Sequence, residues 1–370
     1  MKNVFCTSKG FFCVVLALLG LVVSSGPAGA VMGYEVTDLG TFGGSSYANG
    51  INNSGQVVGK VRMASGDFRA FLWEDGVMRN LGTLGGASSE ANDINASGQV
   101  VGSSHPASGG GHAFLWEDGV MQDLGTLGGP YSSAKGVNDS GQVAGMAPLA
   151  NEDWHAFLWE DGVMHDLGTL GGSDSHARGI NALGQVVGMA DTASGKQHAF
   201  LWEDGVMQDI GTLGGIWTYA NDINDLSQVV GSSCKDPFDY HAFLWEDGVM
   251  HDLGTLGGDE SKAHGINASA QVVGKSWTWG GGGASLQHAF LWENGVMYDL
   301  NDRMLSGSGW ELGCANDIND LGQIVGYGFH NGDMRAFLLT PIPIPEPAGL
   351  GVVAFAFLVA MRWLRRRMNH

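Results

Sequence analysis

The stretch HAFLWEDGVMQDLGTLGG at residues 112–129 decides the fold, because the chain contains several copies of it. Close and weaker copies occupy 69–86, 155–172, 198–215, 241–258 and 288–300. Its tryptophan recurs every 43 residues from Trp73 to Trp245, and the next step, to Trp292, is 47 residues. Self-similarity at a fixed period is typical of a repeat architecture, in which each copy forms the same supersecondary unit.

A second string, GQVVG, tracks the first and fixes the number of copies. Its seven occurrences, counting single substitutions, are 55–59, 98–102, 141–145, 184–188, 227–231, 270–274 and 322–326. The first string also has a seventh copy, shortened to AFLL at 336–339, where Leu339 replaces the tryptophan. Seven copies of one design predict one solenoid or one closed ring rather than several independent domains.

Residues 90–125 show how one copy would fold. Four short strand-like segments, EANDIN, QVVGSS, HAFLWE and VMQDL, start at 90, 99, 112 and 120, and no window shows sustained helical periodicity. Asp118 and Gly119 form a two-residue turn of the kind that needs positive φ twice. Four antiparallel strands per 43 residues is the size of one propeller blade. The chain is therefore predicted to be all-β, with residues 31–340 forming a seven-bladed β-propeller of four-stranded antiparallel blades. A stacked β-solenoid is the alternative, but its parallel rungs disagree with tight hairpins.

The two ends of the repeat array complement each other. The array opens at 34–40 with YEVTDLG, which matches the return strand VMQDLG but lacks the preceding AFLW strand. It closes at 336–339 with an AFLL strand that has no return strand. The N-terminal strand is therefore predicted to complete the last blade and to close the ring, which also removes the exposed sheet edges of an open array.

Residues 1–30 have the organisation of a secretory signal peptide. Lys2 and Lys9 form the charged region, and the apolar run follows at 11–23. Ala28 and Ala30 form the small-residue cleavage pattern. A retained membrane anchor is the alternative, and it is disfavoured because the apolar run is short and a small-residue site follows it.

The C-terminus carries a second set of signals. A stiff, proline-rich linker at 341–347 precedes an apolar segment that is predicted to form a hydrophobic helix within 348–370. The motif inside the linker is Pro345, Glu346 and Pro347, and the basic cluster after the apolar segment is Arg362, Arg365, Arg366 and Arg367. The segment is short for a membrane span, although snorkelling arginines lengthen it, and they would hold the repeats outside the cytoplasm.

This order of a Pro-Glu-Pro motif, a hydrophobic helix and an arginine cluster resembles the PEP-CTERM sorting signal. The resemblance covers about 25 residues at the extreme C-terminus. It implies a secreted or cell-surface protein of a Gram-negative bacterium, held transiently in the inner membrane and processed near the motif by an exosortase. A plain tail anchor is the alternative.

The repeats resemble HAF repeats, a family of extracellular repeat proteins. The family is named for the His-Ala-Phe seen here at 112–114, 155–157, 198–200, 241–243 and 288–290. Arg69 and Arg335 replace the histidine in the first and last copies. The resemblance covers about 34–347, and it implies no established reaction.

Charge limits the partners of the domain between the two ends. Without those ends, 12 basic residues remain beside all 38 acidic residues. Such a domain is expected to stay soluble and to repel nucleic acid and anionic lipid. It is also expected to bind acidic polysaccharide only through bridging cations.

No residue pattern predicts a catalytic, cofactor or metal site. The carboxylates of WEDG, such as Glu117 and Asp118, recur beside a hairpin in nearly every copy and are interpreted as turn residues. The HAF histidines would be spread around a ring, too far apart to share an ion. Phosphate loops, dinucleotide motifs and nucleophile elbows are absent from the sequence. Cys234 and Cys314 are expected two blades apart, which disfavours a disulfide.

The copies differ mainly in the loop between the second and third strands and in the residues after GTLGG. In an up-and-down blade both emerge on one face, so that face is predicted to bind a ligand. It carries aromatic residues suited to stacking on sugars or on a protein partner: Trp154, Trp217, Tyr219, Phe238, Tyr240, Trp277, Trp279 and Trp310. The longest loop is expected at 275–287, where Trp277 and Trp279 would form one platform. The alternative is that several of these side chains tuck into the ring.

Three functions remain open on the sequence alone. The favoured one is a non-enzymatic, exported propeller that binds an envelope partner or exopolysaccharide, the latter implied by the resemblance to PEP-CTERM proteins, which accompany exopolysaccharide production. A glycan-cleaving enzyme with a carboxylate pair in the mouth of the ring is the first alternative. Its candidate residues are those that depart from the repeat: Asp153, Asp174, Asp236, Asp239 and Glu260. A structural component of a surface layer is the second.

Overall fold

Each of the seven copies of the repeat forms one four-stranded antiparallel sheet, as predicted. The computed structural model describes residues 32–236, 239–279, 285–305 and 307–343. We number the sheets as blades 1 to 7 in the order of their innermost strands. In blades 1 to 6 the innermost strand comes first in the chain, and blade 7 also contains the N-terminal strand of the chain. One turn of 3-10 helix, Leu300–Arg303, follows blade 6.

The strands are numbered in chain order. The inner strands are β2 (Gly43–Ile51), β6 (Gly85–Ile94), β10 (Ser133–Val137), β14 (Gly171–Ile180), β18 (Thr218–Ile223), β22 (Ser261–Ile266) and β26 (Trp310–Ile318). The second strands are β3 (Val57–Met63), β7 (Val100–Pro106), β11 (Val143–Pro148), β15 (Val186–Thr192), β19 (Val229–Asp236), β23 (Val272–Trp279) and β27 (Ile324–His330). The third strands are β4 (Phe68–Glu74), β8 (His112–Glu117), β12 (Trp154–Glu160), β16 (Gln197–Glu203), β20 (Asp239–Glu246), β24 (Ser285–Glu293) and β28 (Asp333–Pro343). The outer strands are β5 (Val77–Asn80), β9 (Val120–Asp123), β13 (Val163–Asp166), β17 (Val206–Asp209), β21 (Val249–Asp252), β25 (Val296–Asp299) and β1 (Met32–Asp38).

The N-terminal strand completes the last blade, which confirms the predicted closure. The seventh sheet has the order β1-β28-β27-β26, so β1 is the outer strand of a blade whose other strands come from the end of the array. The Leu39 N–H donates to the Ala336 carbonyl at 3.1 Å, and the equivalent bond in blade 1 joins Leu81 to Ala70 at 3.0 Å. The closing blade therefore repeats the bonding of a continuous one.

A ring of seven asparagines joins the blades around the axis. The Nδ2 of each donates to the backbone oxygen of its counterpart in the next blade at 3.0–3.1 Å: Asn52, Asn95, Asn138, Asn181, Asn224, Asn267 and Asn319. The same nitrogen also donates to the glutamine four residues on, as Asn52 does to Gln56 at 2.7 Å. These contacts explain why an asparagine and a glutamine four residues apart recur in every copy. The Asn52 Oδ1 also accepts the Ser54 N–H at 3.1 Å, which makes this an Asx-type turn.

The core lies between the blades and uses the phenylalanine of HAF. Seven of these side chains are fully buried: Phe71, Phe114, Phe157, Phe200, Phe243, Phe290 and Phe337. Each lies opposite the last glycine of GQVVG in the ladder between the second and third strands. A Cβ built on Gly59 would lie 2.0 Å from the Tyr47 oxygen and 3.0 Å from Phe71 Cε1. Only glycine therefore fits at this position.

The Asp-Gly turns between the third and outer strands have the predicted geometry. Asp118 and Gly119 have φ of 50° and 87°, and Asn294 and Gly295 have φ of 52° and 82°. Positive φ at both central residues is the requirement of a type I′ hairpin, and asparagine, aspartate and glycine tolerate it.

Two other expectations have different outcomes. The predicted loop at 275–287 is wrong at both ends, because β23 continues to Trp279 and β24 begins at Ser285. The Trp277 N–H donates to the Glu260 oxygen at 2.8 Å, which holds this stretch against the inner strand. Cys234 and Cys314 are unpaired and lie in blades 5 and 7.

The signals at both ends lie outside the described residues. These are the signal peptide with Ala28 and Ala30, the motif Pro345–Pro347 and the hydrophobic helix with its arginine cluster, 348–370. Among the residues that the structure does describe, no helix is long and apolar enough to cross a membrane.

Candidate ligand-binding funnel

The two faces of the propeller differ in the way that the sequence predicts. The turns between inner and second strands, and the Asp-Gly turns, lie on one side, which we call the uniform face. The hairpins between second and third strands, and the links between blades, lie on the other side, which we call the variable face. The inner strands run from the variable face to the uniform face, so the residues at their beginnings surround the mouth of the central channel.

A β-bulge in every inner strand sets the lining of that channel. The ladder with the second strand skips one residue in each blade. The skipped residues form what we call the bulge ring: Asn49, Asn92, Lys135, Arg178, Asn221, His264 and Asn316. All but Asn49 line a central cavity of about 360 Å³. Bulges re-aim side chains and are frequent beside functional sites.

Most members of the bulge ring bind the next blade. Asn49, Asn92, Asn221 and Asn316 each donate through Nδ2 to an alanine carbonyl of the neighbouring inner strand at 2.7–2.8 Å. His264 Nδ1 lies 3.1 Å from the Ala315 oxygen in the same arrangement. Lys135 and Arg178 break the pattern, since they place two cations in adjacent blades where the others carry a neutral side chain.

The residue after each bulge is either aspartate or glycine. Asp93, Asp222 and Asp317 are half-buried, and each accepts one backbone N–H from its own strand and one from the next blade at 2.7–2.9 Å. A Cβ on Gly50 would lie 3.2 Å from Asp93 Cα, and one on Gly265 would lie 3.0 Å from Asp317 Cα. Glycine therefore leaves room for the neighbouring inner strand, and at Gly265 also for Asp317 Oδ1, which would lie 3.1 Å from a Cβ.

Aspartate and glycine cannot alternate strictly at this position around a ring of seven blades, because seven is odd and two neighbouring blades must carry the same residue. Blades 3 and 4 both carry glycine, Gly136 and Gly179, and these are the blades whose bulges carry Lys135 and Arg178. The ring is thus irregular at one place, and the irregular place is cationic. Burial raises the pKa of Asp93 to about 7, of Asp222 to about 8 and of Asp317 to about 6.

A second cavity, of about 370 Å³, opens beside the first between blades 5 and 6; we call it the basic cavity. Its lining residues are Arg178, Tyr219, Asn221, Ser232, Tyr240, Lys262, His264 and Lys275. In the described part of the chain, Arg178 and Lys275 have no ion pair with a carboxylate. Lys262 Nζ lies 4.0 Å from Glu260 Oε2, at the outer limit of an ion pair.

The basic cavity has the electrostatics of an anion-binding site. Burial, together with the charges of Lys275, Arg178 and Lys262, lowers the pKa of His264 to about 4, so this imidazole is neutral at pH 7. The Arg178 side chain is exposed at the channel. Partial desolvation by the surrounding protein nevertheless lowers the pKa of its guanidinium. Three cations therefore share one recess, and two of them, Arg178 and Lys275, have no carboxylate partner among the described residues, in a chain whose formal net charge is −20.

The predicted aromatic residues fall into separate groups. Tyr219 and Tyr240 line the basic cavity, with ring centroids 6.1 Å apart and planes 29° apart. Trp154 is half-buried against His176, at 5.9 Å. Phe238 lies outside the described residues. Among the members of this set that the structure describes, Tyr219 and Tyr240 line the cavity together with the cations.

The remaining tryptophans have different environments. Trp217 and Trp277 are half-buried beside backbone hydrogen bonds, whereas Trp279 is 56% exposed at the end of β23. Trp310 stacks on His330 with centroids 4.6 Å apart, and it meets Phe337 edge-on at 6.0 Å. Trp310 therefore belongs to the packing of blade 7.

The candidate catalytic carboxylates are dispersed. Asp153 accepts from Asn151 at 2.7 Å, and Asp174 accepts the Trp154 N–H at 2.8 Å, near blades 3 and 4. Asp236 and Asp239 face each other across β19 and β20, and Glu260 precedes β22. Within the described ranges, no group of three histidine, cysteine or carboxylate side chains is arranged to hold a metal ion.

The repeated histidines and carboxylates have structural partners, as predicted. Each HAF histidine contacts an aspartate of the outer strand through Nδ1, as His155 does Asp166 at 2.7 Å, and this aspartate also accepts the Gly168 N–H at 2.8 Å. The glutamate of WEDG accepts from the glutamine of GQVVG, as Glu160 does from Gln142 at 2.7 Å. The pairing explains why HAF and DLG recur together.

No family model and no curated protein matches this chain. Solved structures with a similar fold include YCF48 bound to D1 peptide, 12% identical, with a TM-score of 0.49 and coverage of 83% of this chain and 95% of that one. TolB from Acinetobacter baumannii is 11% identical, with a TM-score of 0.45 and coverage of 81% and 65%, so the chain spans just under two thirds of that protein. A puromycin-hydrolysing peptidase of Mycobacterium tuberculosis is 11% identical, with a TM-score of 0.49 and coverage of 80% and 49%. This chain is similar to them in fold alone.

Variation inside the strands, rather than in the loops, indicates the positions of these cations in the sequence. The bulge residue and the residue after GQVVG both change from copy to copy inside otherwise constant strands. Lys135, Arg178 and His264 occupy the first position, and Lys60 and Lys275 occupy the second. Variation within a strand of a repeat points to the channel, because packing does not constrain the side chain there.

Proposed function

We propose that this protein is a non-enzymatic binding module that takes its ligand on the variable face, at the mouth of the channel. The single observation that carries the proposal is the contrast between the two faces. The uniform face repeats one set of hydrogen bonds seven times, whereas the variable face gathers three cations and two tyrosines in one recess. Pockets with a few convergent polar groups are the usual location of ligand sites.

The ligand is an exopolysaccharide or an envelope partner. Tyr219 and Tyr240 supply flat apolar surfaces with polar edges, which suit stacking on a sugar ring. Asn221 and Ser232 supply hydrogen-bonding groups beside them. The resemblance of the C-terminal signal to PEP-CTERM favours exopolysaccharide over an unrelated partner.

The protein acts at the cell surface or in the surrounding matrix of a Gram-negative bacterium. The two terminal signals support this location, with an exosortase as the processing partner. Intact-mass measurement of secreted protein tests it. The expected species begins near Val31 and ends near Pro347. A species that begins near Val31 and retains all four C-terminal arginines would identify a tail anchor instead.

A glycan array probed with the purified protein tests the binding function, and a turnover assay on the glycans that bind separates binding from cleavage. The expected result is retention of a defined class of glycan without release of shorter products. Cleavage that is lost on Asp239→Asn would favour the glycan-cleaving enzyme. Binding to no glycan, together with ordered self-assembly of the protein, would favour a surface-layer component.

A further inference from the structure

We propose that the basic cavity is a subsite for a carboxylated sugar, so that the ligand is an acidic polysaccharide bound directly rather than through bridging cations. The proposal rests on the glycan-binding function proposed above and names the chemical class of the ligand. It replaces the expectation, drawn from net charge alone, that an acidic domain needs bridging metal ions to hold an acidic chain.

The distribution of cations is the first argument. Only 12 lysines and arginines lie outside the two ends, and three of them, Arg178, Lys262 and Lys275, line one recess. Uncompensated charges that are partly removed from water destabilise a folded protein. Their convergence without a carboxylate partner for Arg178 or Lys275 is explained if a bound anion supplies the missing charge.

The shape of the recess is the second argument. Its volume of about 370 Å³ lies within the range of small-molecule pockets, and the stacked pair Tyr219 and Tyr240 forms one wall. Lys262 Nζ lies 5.1 Å from the centroid of the Tyr240 ring, so a positive charge adjoins the aromatic surface. A sugar ring stacked on a tyrosine would thus bring its carboxylate to the cations.

Charge density favours a polyuronate over nucleic acid. The net negative charge of the chain repels a nucleic acid duplex, which carries one charge per about 1.7 Å of its axis, more strongly than a uronic acid chain, which carries one carboxylate per sugar ring. An acidic peptide has a comparable charge density but offers no ring face for the tyrosines. It therefore serves as the competing ligand in the test.

Calorimetric titration of the purified protein with a galacturonic acid tetrasaccharide, and with its fully methyl-esterified form, tests the proposal. The two differ in charge and hardly in shape. We expect the acid to bind at least tenfold more tightly than the ester, and its affinity to fall as salt is raised. Lys275→Met should weaken binding of the acid about tenfold or more and leave binding of the ester unchanged.

Lys196→Met is the matched control. Lys196 is an exposed lysine in the β15–β16 hairpin, on the variable face and outside the channel. This variant should bind the acid as the unmodified protein does. Lys275→Met should melt at the same temperature or higher, because it removes an uncompensated cation. Arg178→Met provides a second variant with the same expected loss of binding.

The outcomes separate the two proposals. Equal affinity for acid and ester, or equal effects of Lys275→Met and Lys196→Met, would overturn the acidic-sugar subsite and leave glycan binding standing. Binding of neither tetrasaccharide and of no glycan on the array would overturn both. Binding of tetraglutamate but of neither saccharide, with dependence on Lys275, would assign the cavity to acidic peptides and contradict the acidic sugar.

Discussion

Asn319 Nδ2 lies 3.0 Å from the backbone oxygen of Asn52, although the two residues are 267 positions apart in the chain. This hydrogen bond is the last of seven identical bonds around the axis. Blade 7 thus meets blade 1 through the same contact that joins consecutive blades. Ring closure is therefore a property of the inner strands as well as of β1.

Deletion of 34–40 should destabilise the domain severely. It removes most of β1, the bond from Leu39 to Ala336, and Tyr34, which is buried against the last blade. The deletion also leaves an exposed edge on β28. Deletion of 348–370 is the control and should leave the melting temperature unchanged. Small and equal effects of the two deletions would contradict the closed ring.

Asn181→Ala should lower the free energy of unfolding by about 2–4 kcal/mol, because it leaves buried hydrogen-bonding groups without a partner. Asn181 donates to Gln185 and to the Asn224 oxygen, and it accepts the Gln185 N–H. Leu183→Ala in the same turn is the control, because Leu183 is 66% exposed, and a change within about 0.5 kcal/mol is expected there. Urea denaturation of both variants gives the comparison, and similar midpoints would refute the structural role of the ring.

Stability should fall as pH rises from 5 to 8. Burial, and the charge of Asp317, raise the pKa of Asp222 to about 8, and these effects outweigh two backbone N–H bonds that lower it. The folded protein therefore keeps a proton that an unfolded aspartate releases above about pH 4. The free energy of unfolding should fall by about 1.4 kcal/mol per pH unit for each such carboxyl. The fall should level off above about pH 8.

Denaturation at several pH values in that window, on the unmodified protein and on Asp222→Asn, checks this dependence. The amide introduced by this substitution cannot titrate, so the variant should lose less stability between pH 5 and pH 8 than the unmodified protein does. Its lower stability overall is expected, since an amide offers one acceptor to two N–H donors. Equal slopes would show that Asp222 does not hold the proton.

Trp279→Ala should weaken ligand binding without lowering stability, whereas Trp310→Ala should lower stability. Trp279 is 56% exposed, so its loss should leave the melting temperature unchanged while weakening ligand binding by about 1 kcal/mol. Trp310 packs on His330 and Phe337, and its loss should cost about 3–5 kcal/mol of stability, as for other packed tryptophans. Thermal melts and glycan titrations of both variants decide between the two roles.

The fold could be predicted because the same short sequence strings recur in successive blades. The seven copies, the Asp-Gly turns and the missing half-blade can be read from single strings, and all three are present in the structure. The site was only partly predictable. Of the aromatic residues that the sequence predicts for the ligand face, Tyr219 and Tyr240 line the basic cavity, whereas Trp310 packs on His330 and Phe337 in blade 7.

Contacts between neighbouring blades explain what the sequence could not predict. The bulges, and the alternation of Asp93, Asp222 and Asp317 with glycine, depend on residues about 44 positions apart, as Asp93 and Val137 are. The strand extension to Trp279 likewise depends on its pairing with Ser285 and on the bond from Trp277 to Glu260. Patterns within one copy carry no information about such partners.

Hydrogen–deuterium exchange of the purified protein, with and without the glycan that binds most tightly on the array, tests the central claim that the variable face binds the ligand. We expect slower exchange around the mouth of the channel, in β18, in β22 and where β19, β20, β23 and β24 reach the variable face, and unchanged exchange in the turns between inner and second strands on the uniform face. Protection confined to the uniform face, or equal protection on both faces, would contradict this claim.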